Sequence, residues 1–364
     1  MKKKKDYMGF LSSLFAIIVG LLVGFIILLI TNPSQSIAGF VTIITGPLTH
    51  GAKGIGQVFY FATPIILTGL SVGFAFKTGL FNIGAAGQFI MGGFAAVVVG
   101  IHGKGLGSFQ WIVALLAALI AGFIWGAIPG ICKAYFNVNE VIACIMCNYT
   151  GMYLVNYLVS TNTTLYDKMR NYSKDVAATA NMPKMGLDKV FAGSSVNGGF
   201  FVAITAVVII YIILQKTTFG YELKAAGFNK DASKYAGMNE KRNIILAMAI
   251  SGALAALGGA LLYLAGSGKH IEIADVLASE GFTGISVALL GLSNPIGVLL
   301  AGLFIAYITA GGFYLQLLDF PTEVIDIIIA VIIYFSAFSL FIRVFIANVK
   351  KKKAEKQQSK GGKA

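Results

Sequence analysis

The sequence predicts an all-α membrane protein with about ten transmembrane helices, and its composition is the first reason. Of its 364 residues, 57% are apolar and only 12% are charged, with a mean hydropathy of +0.81. Soluble domains are roughly 25% charged and about 45–50% apolar. A soluble fold could not cover this much apolar surface. The 44 glycines show no collagen period and are typical of membrane helices that pack closely.

Apolar runs of the length needed to cross about 30 Å of hydrocarbon follow one another along the chain. A signal peptide has an apolar core of about 7–15 residues, so the longer first run is expected to stay as an uncleaved helix. The run at 281–292 is short, and a re-entrant or broken helix is the alternative there. The predicted spans lie near 9–31, 57–76, 83–101, 109–132, 141–160, 198–215, 244–266, 281–292, 296–313 and 322–346.

Positive charge is concentrated in three stretches of the chain. Residues 1–8 and 343–364 together contribute +10, and the segment 216–243 contributes the remaining +3 of the net charge of +13. Because Lys and Arg accumulate on the cytoplasmic side, both termini are predicted to be cytoplasmic and the number of crossings even. An even number favours counting 281–292 as a span. Basic ends on an apolar chain indicate membrane anchors, so no nucleic-acid partner is expected.

The predicted organisation is a basic cytoplasmic N-terminus at 1–8, a transmembrane domain at 9–346 and a Lys-rich cytoplasmic tail at 347–364. The outside loop 161–197 is polar and is expected to carry some local structure. The cytoplasmic loop 216–243 has Ala and Leu at helical spacing, a glycine stop and a second short helical stretch. It is therefore predicted to form a helix–turn–helix that docks a soluble partner.

One glycine-rich motif occurs twice. The residues from Gly79 to Gly84 return in looser form from Gly291 to Gly297, each time at a predicted cytoplasmic turn. Transporters are often built from such repeats. The sequence therefore suggests an internal repeat, with chance similarity in a Gly- and Leu-rich chain as the alternative.

Polar and aromatic side chains within the spans or directly next to them supply the candidates for a solute path. A polar group in the membrane is costly unless it has a partner or faces water. Amides donate and accept hydrogen bonds without adding charge, which suits a neutral ligand, and phenylalanine rings can stack on a planar one. The alternative is that the amides bridge helices and the rings pack. The substrate-path candidates are Asn82, Gln88, Asn148, Ser286, Phe74 and Phe89.

Catalytic and metal-binding motifs are not found in the sequence. The three histidines lack the spacing of a metal-binding helix, and the pair Cys144 and Cys147 lies inside an apolar span. The segment from Gly266 to Lys269 only imitates a phosphate-binding loop. We therefore expect a chain without catalytic residues, metal or cofactor, in which any ATP is bound by another subunit.

Several further motifs follow one another along the chain. They are Lys77 to Gln88 with Met91 to Gly93, Asn139 to Ile142 with Asn148 and Tyr149, Gly220 to Gly227, Lys234 to Met238, Ile250 to Ala255, and Gly281 to Gly291 with Asn294 to Gly297. In this order they resemble the inner-membrane permeases of ABC importers for simple sugars, nucleosides and branched-chain amino acids, and the similarity covers roughly 57–346. With its added first span and long outside loop, the chain looks most like the larger permease of bacterial nucleoside importers.

The resemblance implies that the loop 216–243 contains the EAA-type coupling motif, whose short helix enters a cleft of the ATP-binding subunit. Lys224 departs from this motif, because a small residue is commoner there. The coupling-loop candidates are Glu222, Ala225, Ala226, Gly227 and Gly237.

The resemblance also implies partners and a location. They are a second related permease, ATPase subunits that bind ATP and Mg, an extracytoplasmic substrate-binding lipoprotein and the bilayer of the bacterial plasma membrane. The path would run between the two permeases, lined by the second, third, fifth and eighth spans. The substrate is expected to be a nucleoside, with ribose or another simple sugar as the alternative. An ion-driven secondary transporter that works alone is the alternative from a different class.

Overall fold

The computed structural model describes residues 7–321, 323–332, 334 and 335. The described part is mostly helical, with two short strands between α6 and α7. Its helices are α1 (Tyr7–Thr31), α2 (Ser36–Thr49), α3 (Gly51–Lys77), α4 (Ala85–His102), α5 (Gln110–Phe136), α6 (Glu140–Thr161), α7 (Leu187–Val190), α8 (Gly199–Lys216), α9 (Thr218–Phe228), α10 (Lys230–Tyr235), α11 (Glu240–Tyr263), α12 (Ser279–Leu290) and α13 (Pro295–Leu315), followed by helical residues at 323–332, 334 and 335.

Seven helices of the described part are long and apolar enough to cross a membrane: α3, α4, α5, α6, α8, α11 and α13. Each coincides with a predicted span. The largest difference at a helix start is at α3, which begins at Gly51 rather than near residue 57. The prediction of an all-α, multi-pass membrane protein is confirmed. The number of ten crossings and the cytoplasmic position of both termini stay predictions.

The remaining predicted spans are helical where the structure describes them. The first coincides with α1, and the short eighth with α12, which has 12 residues. The last is helical at 323–332, whereas 336–346 lies outside the described residues. The predicted spans do not include α2, a helix of 14 residues. Gly39, Gly46 and Pro47 interrupt its apolar run, and its length is below that of a span.

The chain forms two compact units. One consists of residues up to Ile44 together with residues from Gly312 onwards. Within it, Gly20 of α1 lies against Ile332, and Gly24, one turn later, lies against Ile328. The two glycines allow α1 to approach the helical stretch 323–332 closely, as small residues do at helix interfaces in membranes.

The other unit, Thr45–Gly311, has α3 and α11 at its centre. Most of α3 is buried, and α11 packs against α3, α4 and α5. Small side chains lie where α3, α4, α11 and α12 meet: Val72, Ala85, Ala255 and Ala288 form one fully buried cluster. Such side chains allow close helix packing without large voids.

The contact between α5 and α11 depends on glycine. Gly122 and Gly126, one turn apart on α5, lie directly against Gly252 and Ala256 of α11. A Cβ atom added at Gly126 would meet the Gly252 Cα atom at 2.9 Å, which is shorter than van der Waals contact. This small-xxx-small spacing lets the two backbones touch.

The segment between α6 and α8 has local structure of its own. Strands β1 (Tyr166–Asp167) and β2 (Tyr172–Ser173) pair antiparallel. The Ser173 N–H donates to the Ile271 carbonyl oxygen at 2.9 Å, and the Met182 N–H donates to that of Leu264 at 2.7 Å. The segment is thereby joined to the chain that follows α11. Its location outside the membrane stays a prediction.

Candidate functional site

The two copies of the glycine-rich motif form the turns between α3 and α4 and between α12 and α13. In the first turn the Asn82 Oδ1 atom accepts from the Gly84 N–H at 3.0 Å; in the second, Asn294 Oδ1 accepts from the Ile296 N–H at 3.0 Å. The turns also touch, since Lys77 Nζ donates to the Leu292 carbonyl oxygen at 3.3 Å. The copies therefore share a local structure, which is consistent with a repeat.

Asn82 lies at the centre of a buried polar network. Its Nδ2 atom donates to Gln88 Oε1 and to Ser251 Oγ, both at 2.7 Å. The Ser251 hydroxyl in turn donates to the Ser71 carbonyl oxygen at 2.7 Å. Asn82 is fully buried, and the Gln88 side chain is 1% exposed. The network joins α3, the following turn, α4 and α11 where no water reaches them, and buried amides of this kind require such partners.

Asn148 brings α6 to the same place. Its Nδ2 atom donates to the Ile83 carbonyl oxygen at 2.9 Å, and its Oδ1 atom accepts from the Gly87 N–H at 2.8 Å. These backbone groups lie at the start of α4, where the first N–H groups have no partner within the helix. One amide side chain therefore satisfies an N–H and a carbonyl group at a buried helix start.

The other three substrate-path candidates are buried as well. The Ser286 hydroxyl lies 3.4 Å from the Phe282 carbonyl oxygen of its own helix. Phe74 is 1% exposed, and Phe89 is fully buried next to Tyr60 and Leu262.

All six predicted substrate-path residues thus lie in the interior of this chain in the present conformation. The arrangement of Asn82, Gln88 and Asn148 is that of amides bridging helices, which was the alternative interpretation of the sequence. Direct contact with a solute would require the three amides to exchange their present partners. Their role in a path stays a prediction.

The cytoplasmic loop predicted at 216–243 contains α9 and α10, two short helices in tandem. Each starts with a side-chain cap: the Thr217 hydroxyl oxygen accepts from the Gly220 N–H, and Asn229 Oδ1 accepts from the Ala232 N–H, both at 3.0 Å. Such caps satisfy N–H groups that have no helical partner. The glycine stop predicted at Gly227 lies one residue before the end of α9. The helix–turn–helix expected from the sequence is therefore present.

One side of α9 is anchored to the rest of the unit. Leu223 is fully buried, and Glu222 Oε2 accepts from Asn243 Nδ2 of α11 at 3.2 Å. Ala225 and Ala226 are half-buried. The other side of α9 carries a solvent-exposed aromatic ring, since Phe228 is 92% exposed. On α10, Tyr235 is 94% exposed. Large aromatic side chains this exposed are typical of a binding surface for another protein.

Gly227 lies directly against the α3–α4 turn. A Cβ atom added at Gly227 would meet the Gly79 nitrogen and the Thr78 carbonyl carbon, each at 2.8 Å. Clefts of about 270 and 360 Å³ open on the two sides of this contact, and Phe228 lines both. Gly237 makes no comparable contact; its φ of +80° provides the turn after α10.

Four residues of the amide network and the tandem helices were not among the candidates chosen from the sequence. Ser71 and Ser251 complete the amide network, and they could have been noticed as hydroxyls within long apolar spans. Phe228 and Tyr235 could have been noticed as aromatic residues within a basic loop, where no apolar neighbours would cover them.

Among the residues that the structure describes, no group of three His, Cys, Asp or Glu side chains is placed to hold a metal ion. Lys133 Nζ and Glu140 Oε2 form an ion pair of 2.9 Å between the end of α5 and the start of α6, and both residues line the larger cleft. The charged groups here are thus organised as a structural ion pair.

Comparison with known proteins places the chain among transport proteins. The family model described as "Branched-chain amino acid transport system / permease component" matches residues 54–337. The chain is 40% identical to the guanosine ABC transporter permease protein NupP of Bacillus subtilis over 345 residues, which cover 94% of this chain and 97% of NupP.

Two further relatives are also ABC permease proteins. The nucleoside ABC transporter permease protein NupB of Lactococcus lactis is 35% identical over 353 residues, with 96% of each chain covered. The glucose ABC transporter permease protein TsgB13 of Haloferax volcanii is 33% identical over 297 residues, which cover 80% of this chain and 77% of TsgB13. No solved structure matches the chain significantly.

The family match covers most of the chain, including all or nearly all of the seven helices that can span a membrane. The motifs that carried the resemblance in the sequence, including the turn at 79–84 and the loop with α9, fall inside the matched region. The chain is a multi-pass membrane protein of the branched-chain amino acid transport system permease family.

Proposed function

We propose that the chain is one of two permease subunits of an ATP-driven importer for nucleosides in the bacterial plasma membrane. The observation that carries this proposal is the identity of 40% with a guanosine permease along nearly the whole length of both chains. A second relative at 35% identity is also named for nucleosides.

The tandem helices α9 and α10 are the proposed docking element for an ATPase subunit. Phe228 and Tyr235 project almost completely into solvent, while Leu223 and Glu222 fix α9 to the rest of the chain. An element anchored on one side, with exposed aromatic rings on the other, can enter a cleft of a partner without losing its own fold.

The contact between Gly227 and Gly79 is the proposed route by which the docked ATPase acts on the membrane helices. Because the two backbones touch, a displacement of α9 presses directly on the α3–α4 turn. That turn contains Asn82, whose hydrogen bonds hold α4 and α11. Closure of the ATPase subunits could therefore reorient these helices and alternate the access of the path.

The buried amides are proposed to act behind the path rather than at its surface. Asn82, Gln88 and Asn148 hold α3, α4, α6 and α11 in register, and Phe74, Phe89 and Ser286 pack among them. The path itself would run along the exposed surfaces of α6 and α12, at the junction with the second permease.

Energy and substrate are proposed to come from partner subunits. The sequence contains no phosphate-binding loop, so ATP and Mg would be held by separate ATPase subunits. A lipoprotein outside the membrane would deliver the substrate. With the basic termini and the loop 216–243 in the cytoplasm, docking of ATPase and lipoprotein would occur on opposite sides of the bilayer.

A second candidate substrate class is a simple sugar. It is favoured by the 33% identity with the glucose permease protein of Haloferax volcanii. That relative covers less of the chain and is less similar than the two named for nucleosides, so we place sugars second.

The test is uptake by the complete importer in proteoliposomes, with its ATPase subunits and lipoprotein. Labelled guanosine, ribose and glucose are each supplied with and without ATP inside the vesicles. We expect ATP-dependent uptake of guanosine that persists when an uncoupler removes ion gradients. Uptake of only the sugars would contradict the nucleoside assignment, and uptake that needs an ion gradient but no ATP would contradict the importer class.

A further inference from the structure

One face of α6 carries a stripe of exposed tyrosines. Tyr149, Tyr153 and Tyr157 follow one another at a spacing of four residues and are 47%, 54% and 64% exposed. Towards the start of the helix the same face continues with Ile142 and Met146, also exposed. We call the three tyrosines the tyrosine stripe.

The stripe reaches the middle of the membrane. Helix α6 has 22 residues from Glu140 to Thr161. At 1.5 Å per residue, Tyr149 lies about 14 Å from the first end and Tyr153 about 12 Å from the second. Tyrosines that anchor a helix at the water interface lie near its ends. A phenol hydroxyl at mid-depth against lipid has no hydrogen-bond partner, which is unfavourable.

The spans before and after α6 along the chain show what a lipid-facing surface of this protein looks like. On α5, the residues exposed at similar depth include Leu116, Ile120 and Ile124, and on α8 they include Val208 and Ile212. These are aliphatic residues without polar groups. Of the seven candidate spans, α6 has the lowest mean hydropathy. The exposed face of α6 therefore differs in chemistry from the surfaces that face lipid.

Further hydrogen-bonding groups lie beside the stripe, near the second end of α6. Asn156 donates from Nδ2 to the Ala274 carbonyl oxygen at 3.0 Å and lies 3.4 Å from the carboxylate of Asp275. Asn156 is half-buried and Asp275 is exposed. A solute moving along α6 from its second end would meet Tyr157 together with this amide and carboxylate, and then the rings and hydroxyl groups of Tyr153 and Tyr149.

We propose that the tyrosine stripe is this chain's part of the translocation path and that its rings stack on the base of the nucleoside. The inference rests on the proposed function and names its contact surface. A nucleobase offers flat faces for stacking and polar edges for the phenol hydroxyls, and stacking on aromatic rings tolerates different bases. The stripe supplies both at a depth where ordinary lipid contact is unfavourable.

Water access to the stripe is tested by cysteine labelling of the complete importer. Tyr149→Cys and Tyr153→Cys are introduced with Cys132→Ala and Cys147→Ala and treated with a charged, membrane-impermeant methanethiosulfonate. We expect modification that guanosine slows and ribose does not. Ile120→Cys and Ile124→Cys on α5, at least as exposed and at similar depth, are the controls and should remain unmodified. Absence of modification at both tyrosine positions, or equal protection by ribose and guanosine, would overturn the inference.

The stacking role is tested by transport. Tyr153→Leu removes the ring but keeps apolar bulk, and should lower guanosine uptake about tenfold, while Tyr153→Phe should stay within about threefold of the wild type. Ile124→Ala on α5 is the control and should transport normally. If wild-type importer takes up guanosine and Tyr153→Leu does so equally well, the stacking role is wrong while the proposed function stands. If the wild type takes up no nucleoside, the proposed function itself fails.

Discussion

Two of the contacts in which glycine brings backbones together differ in extent. Between α5 and α11, Gly122 and Gly126 face Gly252 along helices of 27 and 24 residues. At the end of α9, Gly227 touches Gly79 at a single point between a short, partly exposed helix and a turn. The first contact is part of the folded core of its unit. The second joins a surface element to that core, which is the arrangement needed to transmit a movement.

The largest effect is expected from breaking the α5–α11 contact. Gly252→Leu places a side chain against the backbone of Gly126. The nearest atoms are all backbone atoms, so no flexible side chain can move aside to make room. Overpacking of a tight interface costs typically 1–3 kcal/mol and more where only backbone can yield. We expect little folded protein in the membrane, measured by fluorescence-detected size exclusion. The control is Gly105→Leu, since Gly105 has open space around it.

Next in size is the loss of the exposed aromatic rings. The double variant Phe228→Ala and Tyr235→Ala removes two side chains that touch little of this chain, so the fold should be unaffected. If they insert into the ATPase subunit, each removal weakens association by about 1–2 kcal/mol. Pull-down of the purified ATPase by the permease measures this loss. Phe109→Ala, also an exposed phenylalanine at 69% but far along the chain from α9, should bind normally; equal binding by the double variant would contradict the docking role.

A smaller effect is expected from opening the amide network. Asn82→Ala leaves the Gln88 amide oxygen without its donor, and an unsatisfied buried group costs about 1–3 kcal/mol. The thermal midpoint of the purified complex should fall by several degrees. Ser34→Ala, which removes an exposed hydroxyl bonded only to Asn32, should leave the midpoint unchanged. A midpoint for Asn82→Ala equal to that of the wild type would show that the network does not hold these helices.

The smallest effect concerns the edge of the same network. Ser251→Ala removes one hydroxyl that bridges Asn82 and the Ser71 carbonyl oxygen, while the Gln88 contact of Asn82 stays. We expect a loss of about 1 kcal/mol, smaller than for Asn82→Ala. The same thermal measurement ranks the two variants. A larger loss for Ser251→Ala would place the centre of the network at the serine.

Much of the fold could be predicted from the sequence because long apolar runs specify membrane helices almost by length alone. The helix α2 could not be predicted, because its glycines and Pro47 are residues typical of a loop between two spans. The tandem helices α9 and α10 could be predicted from Ala and Leu spacing and the glycine stop. These are local signals, and they are contained within single segments.

The surroundings of the site residues could not be predicted in the same way. A sequence shows that Asn82 lies next to a span and Asn148 within one, but not that each finds its partners within this chain. That outcome depends on which helices meet, and Ser251 is far from Asn82 along the chain. The tyrosine stripe has a helical spacing that the sequence contains, yet only the packing of α6 shows which face is left exposed.

The most direct measurement compares ATP-dependent guanosine uptake by the complete importer containing wild-type chain or Gly227→Leu, with Gly105→Leu as the control. A leucine at position 227 would force α9 away from Gly79 without touching the interface of α5 and α11. We expect normal amounts of Gly227→Leu protein in the membrane and no uptake. Normal uptake by Gly227→Leu would contradict the claim that this contact couples the ATPase to the membrane helices.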